Sequence, residues 1–170
     1  NNWPWPLVFP KEFGLRGWEY FFSPTSNSIS ILLYSILLSL TVTLITLLVT
    51  IPAARALALY DFKGKKLVEI LILAPLIVSP VAVAMGIHQL FIKLRLANTF
   101  FGVVLVHLIP CIPYSVRTLK NVFESVGNKF QMQGKVLGAS PIQNFIYVTL
   151  PIISPGILSA ASLVFTVSFS

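Results

Sequence analysis

Apolar positions in this chain come in long runs and charged ones in clusters, and the runs define the elements. Windows without Asp, Glu, Lys or Arg cover residues 20–54, 70–92, 96–116 and 136–170. Each holds the roughly 20 apolar residues that a helix needs to cross about 30 Å of hydrocarbon. The pattern predicts about four spans, near residues 30–51, 68–90, 97–116 and 151–170, in an all-α polytopic transmembrane helical bundle. Prolines interrupt the second span. Pro75 and Pro80 free backbone carbonyls there, and such breaks line a cavity or a packed interior, or simply kink the helix.

A finer pattern lies within the first span. Ser28, Ser35, Ser39, Thr43, Thr46 and Thr50 recur at helical steps and fall within one narrow stripe. Such hydroxyls either line a polar passage or hold helices together, and "SAAS" at 159–162 admits the same two readings. On the first reading the candidate lining residues are Ser35, Ser39, Thr43, Thr46 and Thr50, with Pro75 and Pro80.

Composition agrees with the spans. The chain is 56% hydrophobic, 10% charged and has a mean hydropathy of +0.87, whereas about a quarter of a soluble domain is charged. The net charge of +7 is split among short connections, so it forms no continuous patch for nucleic acid. Eight of the twelve Lys and Arg residues fall after the first and third spans: Arg55, Lys63, Lys65, Lys66, Arg117, Lys120, Lys129 and Lys135. The positive-inside rule makes residues 55–66 and 117–147 cytoplasmic. Residues 1–28 then form an extracytoplasmic aromatic lead, with Trp3, Trp5, Phe13, Trp18, Tyr20, Phe21 and Phe22 as an interfacial belt, ahead of a transmembrane core at 29–170. The chain lacks an initiating Met and a signal-peptide pattern, and it stops within an apolar run. The expectation is a fragment, with at least one span upstream and more chain downstream. The single cysteine, Cys111, reads as a small apolar filler.

The connection "KVLGASPIQNFIYVTLP" at 135–151 is dense in helix punctuation. Asn128 and Gln131 fit an N-cap and its partner three residues on, which starts a short helix near Lys129 that runs to Leu137. Gly138 stops it, since glycine readily takes the left-handed conformation of a helix C-terminus. Ser140, Pro141 and Gln143 supply a second N-cap, a proline at the first helical position and a capping-box acceptor. This predicts a second short helix from Pro141 to about Val148, with Ile142, Phe145 and Ile146 on one face, and a last span that begins at Pro151.

These residues resemble the cytoplasmic signature of type I ABC importer permeases: E-A-A, three residues, G, nine residues, I, one residue, L-P. Gly138, Val148, Leu150 and Pro151 fall at the corresponding positions, and "LGAS" and "VTLP" are similar to the family's wording. The E-A-A positions hold Met132, Gln133 and Gly134 instead. The resemblance covers about residues 27–170 and includes "NSISILLYSILLSLTVTLITLLVTIPAARALA" and the proline-broken "ILAPLIVSPVAVAMG". It implies the transmembrane domain of a type I ABC importer, multi-pass in a bacterial inner membrane, which moves a solute handed over by an extracytoplasmic solute-binding protein. It also implies a second permease subunit, identical or related, and separate ABC ATPase subunits. The 128–149 elbow would be the ATPase-docking loop, with Met132, Gln133, Gly134, Gly138, Ala139, Ser140, Ile142, Phe145, Ile146, Leu150 and Pro151. Among subfamilies the wording is most similar to the polyamine, thiamine and ferric-iron group.

The chain itself offers no energy source. "GNKFQMQGKV" at 127–136 is not a phosphate-binding P-loop, since six residues separate its glycines and Val136 follows Lys135. His88 and His107 have no acidic neighbour in sequence, and no Cys/His cluster suggests a metal or other cofactor. The sequence thus points to a transport subunit rather than an enzyme. Two alternatives remain: a stand-alone secondary transporter or channel, and a non-transporting membrane scaffold. Against an ion-coupled carrier, Glu69 lies at a span end beside Lys65 and Lys66 rather than at midplane.

Overall fold

A computed structural model describes residues 16–23, 26–78, 80–127, 129–136 and 138–170. The chain divides into two compact units, residues 1–37 and 38–170. The first contains α1 (Arg16–Phe22) and the opening of α2 (Ser28–Leu59). Ser26 Oγ donates to the carbonyls of Phe21 and Ser23, each at 3.0 Å, near the end of α1. Tyr20 and Phe22 are exposed on α1. Of the expected aromatic belt Phe21 is half-buried, and Trp3, Trp5, Phe13 and the Trp18 side chain lie outside the described residues, as does the proposed Asn128–Gln131 cap.

The second unit holds the remainder of α2, then α3 (Lys65–Leu73), α4 (Pro80–Lys93), α5 (Phe100–Val126), α6 (Lys129–Val136), α7 (Pro141–Asn144) and α8 (Leu150–Phe169). Three helical stretches among the described residues are long and apolar enough to cross a membrane: Ser28–Leu59, Phe100–Val126 and Pro141–Phe169. The predicted span at 68–90 is therefore not one helix. It consists of α3, a 3₁₀ turn at Ala74–Leu76 that contains Pro75, and α4, which Pro80 opens. Neither proline has an N–H for the helical ladder, and the Ile77 N–H instead donates to Ala74 O at 3.0 Å. α3 and α4, of 9 and 14 residues, each fall short of a full crossing.

The long helices also outrun their predicted spans. α2 continues to Leu59, through Arg55, and α5 to Val126, through Arg117 and Lys120. Hydropathy marks only where the charges begin, whereas beyond those points Leu57, Leu119 and Phe123 are buried and keep both helices packed. At 1.5 Å per residue, the 32 residues of α2 reach about 48 Å. The start of α5 is fixed locally, since Thr99 Oγ1 accepts from the Gly102 N–H at 3.0 Å.

Residues of α2, α5 and α8 meet in two core layers. One joins Leu38 and Val42 to Val104, Cys111 and Val164, and the other joins Ala54 to Leu119, Phe123, Ile153 and Ala160. Between them Thr50 and Ser115 share a buried hydrogen bond of 2.7 Å that ties α2 to α5. α3 is fastened to α5 by ion pairing of Lys120 with Glu69, and Lys120 also reaches Glu124 at 3.6 Å.

Candidate functional site

The connection between α5 and α8 folds into an elbow with a cap on each side of its turn. α6 ends in a Schellman-type closure in which the Ala139 N–H donates to Gly134 O at 3.0 Å and Gly138 sits at φ +81°. A Cβ at Gly138 would meet nothing within 4 Å, so backbone conformation alone requires glycine there. The chain restarts at once. Ser140 Oγ accepts from the Gln143 N–H at 3.3 Å, while the Ser140 N–H donates to Gln143 Oε1 at 3.0 Å, a complete capping box with Pro141 in the first turn.

Beyond this cap the chain departs from the expected pair of separate helices. α7 does not end near Val148. It passes through a π turn at Phe145–Thr149 straight into α8, with the Leu150 N–H donating to Phe145 O, five residues back. Pro151 explains the widening. In a regular α ladder its ring would press on the carbonyl four residues earlier, and it has no N–H to offer that turn. A π turn just before it opens the ladder without ending the helix. Thr149 Oγ1 donates to the Asn144 carbonyl at 3.4 Å within the same turn. The elbow is thus one short helix, α6, folded against the bent first turns of the last helix.

The signature residues gather here but face different ways. Met132, Gln133, Ile142 and Ile146 point outward, with Ile142 72% exposed and Met132 66%. Gly138, Ser140 and Pro151 are exposed as well, and Ala139 and Leu150 are half-buried. Gly134 is buried for a specific reason: a Cβ added there would lie 2.7 Å from Asn144 Nδ2. The side chain of Asn144, itself buried, occupies the space that an alanine at 134 would need. An alanine at 134 therefore fits only if the Asn144 side chain moves.

Phe145 turns inward. It is half-buried, with the Arg55 guanidinium 5.1 Å from its ring centroid, a cation–π contact from the end of α2. The two residues line a mostly apolar cavity of about 490 Å³ together with Leu48, Pro52, Tyr60 and Leu150. Sequence reasoning missed Arg55, Asn144 and Tyr147. Tyr147, 76% exposed, extends the outward face, and its four-residue step from Gln143 was the signal available.

The hydroxyl stripe of α2 is not on an open surface. Ser39, Thr43, Thr46 and Thr50 are buried in the second unit, Thr43 Oγ1 donates to Ser39 O at 2.7 Å, and Thr50 meets Ser115. Ser35, in the first unit, is half-buried. Pro75 is half-buried in its 3₁₀ turn, and the Pro80 side chain lies outside the described residues.

Residues 50–170 match the family described as "Binding-protein-dependent transport system inner membrane component". The molybdate/tungstate transport system permease protein WtpB of Pyrococcus abyssi is 29% identical over 127 residues, covering 75% of this chain and 51% of that protein. The trehalose transport system permease protein SugB of Mycobacterium tuberculosis is 28% identical over 165 residues, 95% of this chain and 57% of that protein. The sulfate transport system permease protein CysT of Escherichia coli is 26% identical over 125 residues, 66% and 45% respectively. The chain spans about half the length of the curated relatives it matches.

Proposed function

Since the chain belongs to the binding-protein-dependent transport system inner membrane components, multi-pass proteins of the inner membrane, we propose that it forms part of the translocation unit of an ATP-driven importer. An external binding protein delivers the solute, and ATP is hydrolysed by a separate subunit that docks on the elbow. The observation that carries this reading is the elbow's construction. A Schellman closure and a capping box, one on each side of Gly138, fix a surface of Met132, Ile142, Ile146 and Tyr147. Apolar side chains held rigidly on a polar connection fit a helix-in-groove contact with a protein partner. Arg55 on Phe145 gives that contact a route to α2, so a displacement of the elbow reaches a membrane-crossing helix.

Within this reading the solute is a tetrahedral oxyanion, because molybdate, tungstate and sulfate are named for most of these relatives and the polyamine, thiamine and iron classes for none of them. The α2 hydroxyls serve as helix glue, which their burial supports.

The test is reconstitution of the full-length permease in proteoliposomes with its ATPase and binding protein. ATP hydrolysis should rise when the loaded binding protein is added, and molybdate or sulfate should accumulate only with ATP. Uptake that proceeds without the ATPase would overturn the coupled reading in favour of a stand-alone carrier.

A further inference from the structure

Two buried residues meet inside the elbow. Asn144, 4% exposed, ends α7, and Gly134 lies in α6. A Cβ at Gly134 would lie 2.7 Å from Asn144 Nδ2 and 2.8 Å from its Cγ and Oδ1, so the whole carboxamide rests on the bare glycine backbone. Asn144 is also tied to what surrounds it in the chain. Its N–H donates to Ser140 O at 2.9 Å, in the capped turn, and its carbonyl accepts from Thr149 Oγ1 at 3.4 Å, in the π turn that leads into α8. Gly134 in turn supplies the carbonyl of the Schellman closure, which accepts from the Ala139 N–H. The pair stands where α6, the capped turn and the last helix converge.

We propose that Asn144 is a positioning residue: seated on Gly134, it sets the spacing between α6 and the start of the last helix, and with it the shape of the surface that docks the ATPase. This rests on the docking reading above. Neither residue meets a partner itself, since both are buried. Exposed residues beside them do so: Met132 lies two positions before Gly134, and Ile142 two before Asn144. One part of the docking surface is thus carried by α6 and the other by α7, and the carboxamide sets how closely the two helices approach.

Size, rather than helix propensity, decides the fit. Ordinary contact with a Cβ begins at about 3.4 Å, so an alanine at 134 would push α6 away by about 0.7 Å or force the Asn144 amide out of a closely packed site. Alanine otherwise favours a helix interior over glycine, so propensity alone predicts a firmer α6. The two accounts give opposite signs for Gly134→Ala.

The test is a double-mutant cycle on the full-length permease in nanodiscs, with Gly134→Ala, Asn144→Ala and both together. Affinity for its ATPase and the thermal midpoint are measured for each. Gly134→Ala should weaken ATPase binding roughly tenfold, within the range of couplings between residues in direct contact. Asn144→Ala, which removes the carboxamide and leaves α6 unsupported, should weaken it by a similar factor. In the double variant the methyl at 134 takes up space that the carboxamide vacates, and affinity should return to within about threefold of the native value. Additive losses in the double variant, or losses that merely follow the thermal midpoint, would overturn the proposal. So would a Gly134→Ala permease that binds as the native protein does or more tightly, a result that decides the matter even where Asn144→Ala does not fold. A native permease that binds no ATPase would overturn the docking reading and the proposal with it, whereas native binding with unaltered variants would overturn the proposal alone.

Discussion

The middle of α2 and the elbow share an inside-out pattern. In α2 the hydroxyls Ser39, Thr46 and Thr50 are buried while Leu40, Leu44 and Leu48 are exposed. In the elbow Asn144 is buried while Ile142, Ile146 and Tyr147 are exposed. The covering medium separates the two cases. α2 lies in a window without a charge, where lipid chains solvate the leucines and reward helices for meeting through small polar contacts. The elbow is flanked by Lys129, Lys135, Gln133 and Gln143, a polar setting unlike the charge-free window of α2. On the proposed reading, the same arrangement means lipid contact in one region and a protein surface in the other.

Moving one charge between the two regions gives the largest expected effect. Leu44→Lys places an ammonium on the lipid face of α2 and should cost about 2.5–3.5 kcal/mol at mid-span. The readout is a loss of membrane-integrated protein in a protease-protection or insertion assay. Ile142→Lys, at a position of similar exposure, should leave insertion and abundance as they are and weaken retention of the ATPase in pull-down. If Ile142→Lys also prevents insertion, the elbow is buried in lipid and the comparison collapses.

Much of the elbow was legible in sequence because its determinants are local. Gly138 as a stop and Ser140–Gln143 as a capping box need only the residues between them. The π turn was not legible. Pro151 reads as the start of a helix under an i→i+4 rule, and only the assembled ladder reveals that five-residue spacing carries the chain through. Helical spacing puts Phe145 on the outward face with Ile142 and Ile146. It turns inward instead, against Arg55 ninety positions away, a contact that no local period encodes. Glycine at 134 likewise became intelligible only when Asn144 was seen to fill the space above it. In α2 the stripe itself was legible, but the period cannot tell which face meets another helix. At residues 68–90 the proline break was legible, but not that it resolves into two short helices, α3 and α4, around a 3₁₀ turn.

A smaller effect sharpens the elbow's side of the comparison. Gly138→Val forces a β-branched side chain to φ +81°, at a cost of at least about 1 kcal/mol. Nothing lies within 4 Å of the added Cβ, so the penalty is conformational and should redirect α7 rather than unfold the bundle. The expected phenotype is a normally inserted subunit that retains the ATPase poorly, measured by pull-down beside a membrane-abundance control. Unimpaired retention and transport would remove Gly138 from the docking geometry.

The smallest effect tests the α2 side. If the hydroxyl stripe is glue, the Thr50–Ser115 bond should act as a pairwise contact and nothing more. Hydrogen bonds of this kind between membrane helices average about 0.6 kcal/mol, because a serine or threonine that loses its partner can turn back to a carbonyl of its own helix. Thr50→Val keeps the shape and removes one hydroxyl, and Ser115→Ala removes the other. A double-mutant cycle on unfolding in mild detergent should then return a coupling of that size, with transport in the reconstituted system reduced no more than stability is. The opposite pattern, near-zero coupling with a collapse of solute uptake in Thr50→Val, would mean that the hydroxyl meets the solute during the transport cycle. In that case the buried stripe is a closed passage rather than a seam, and the lipid-facing leucines beside it are the outer wall of a gate.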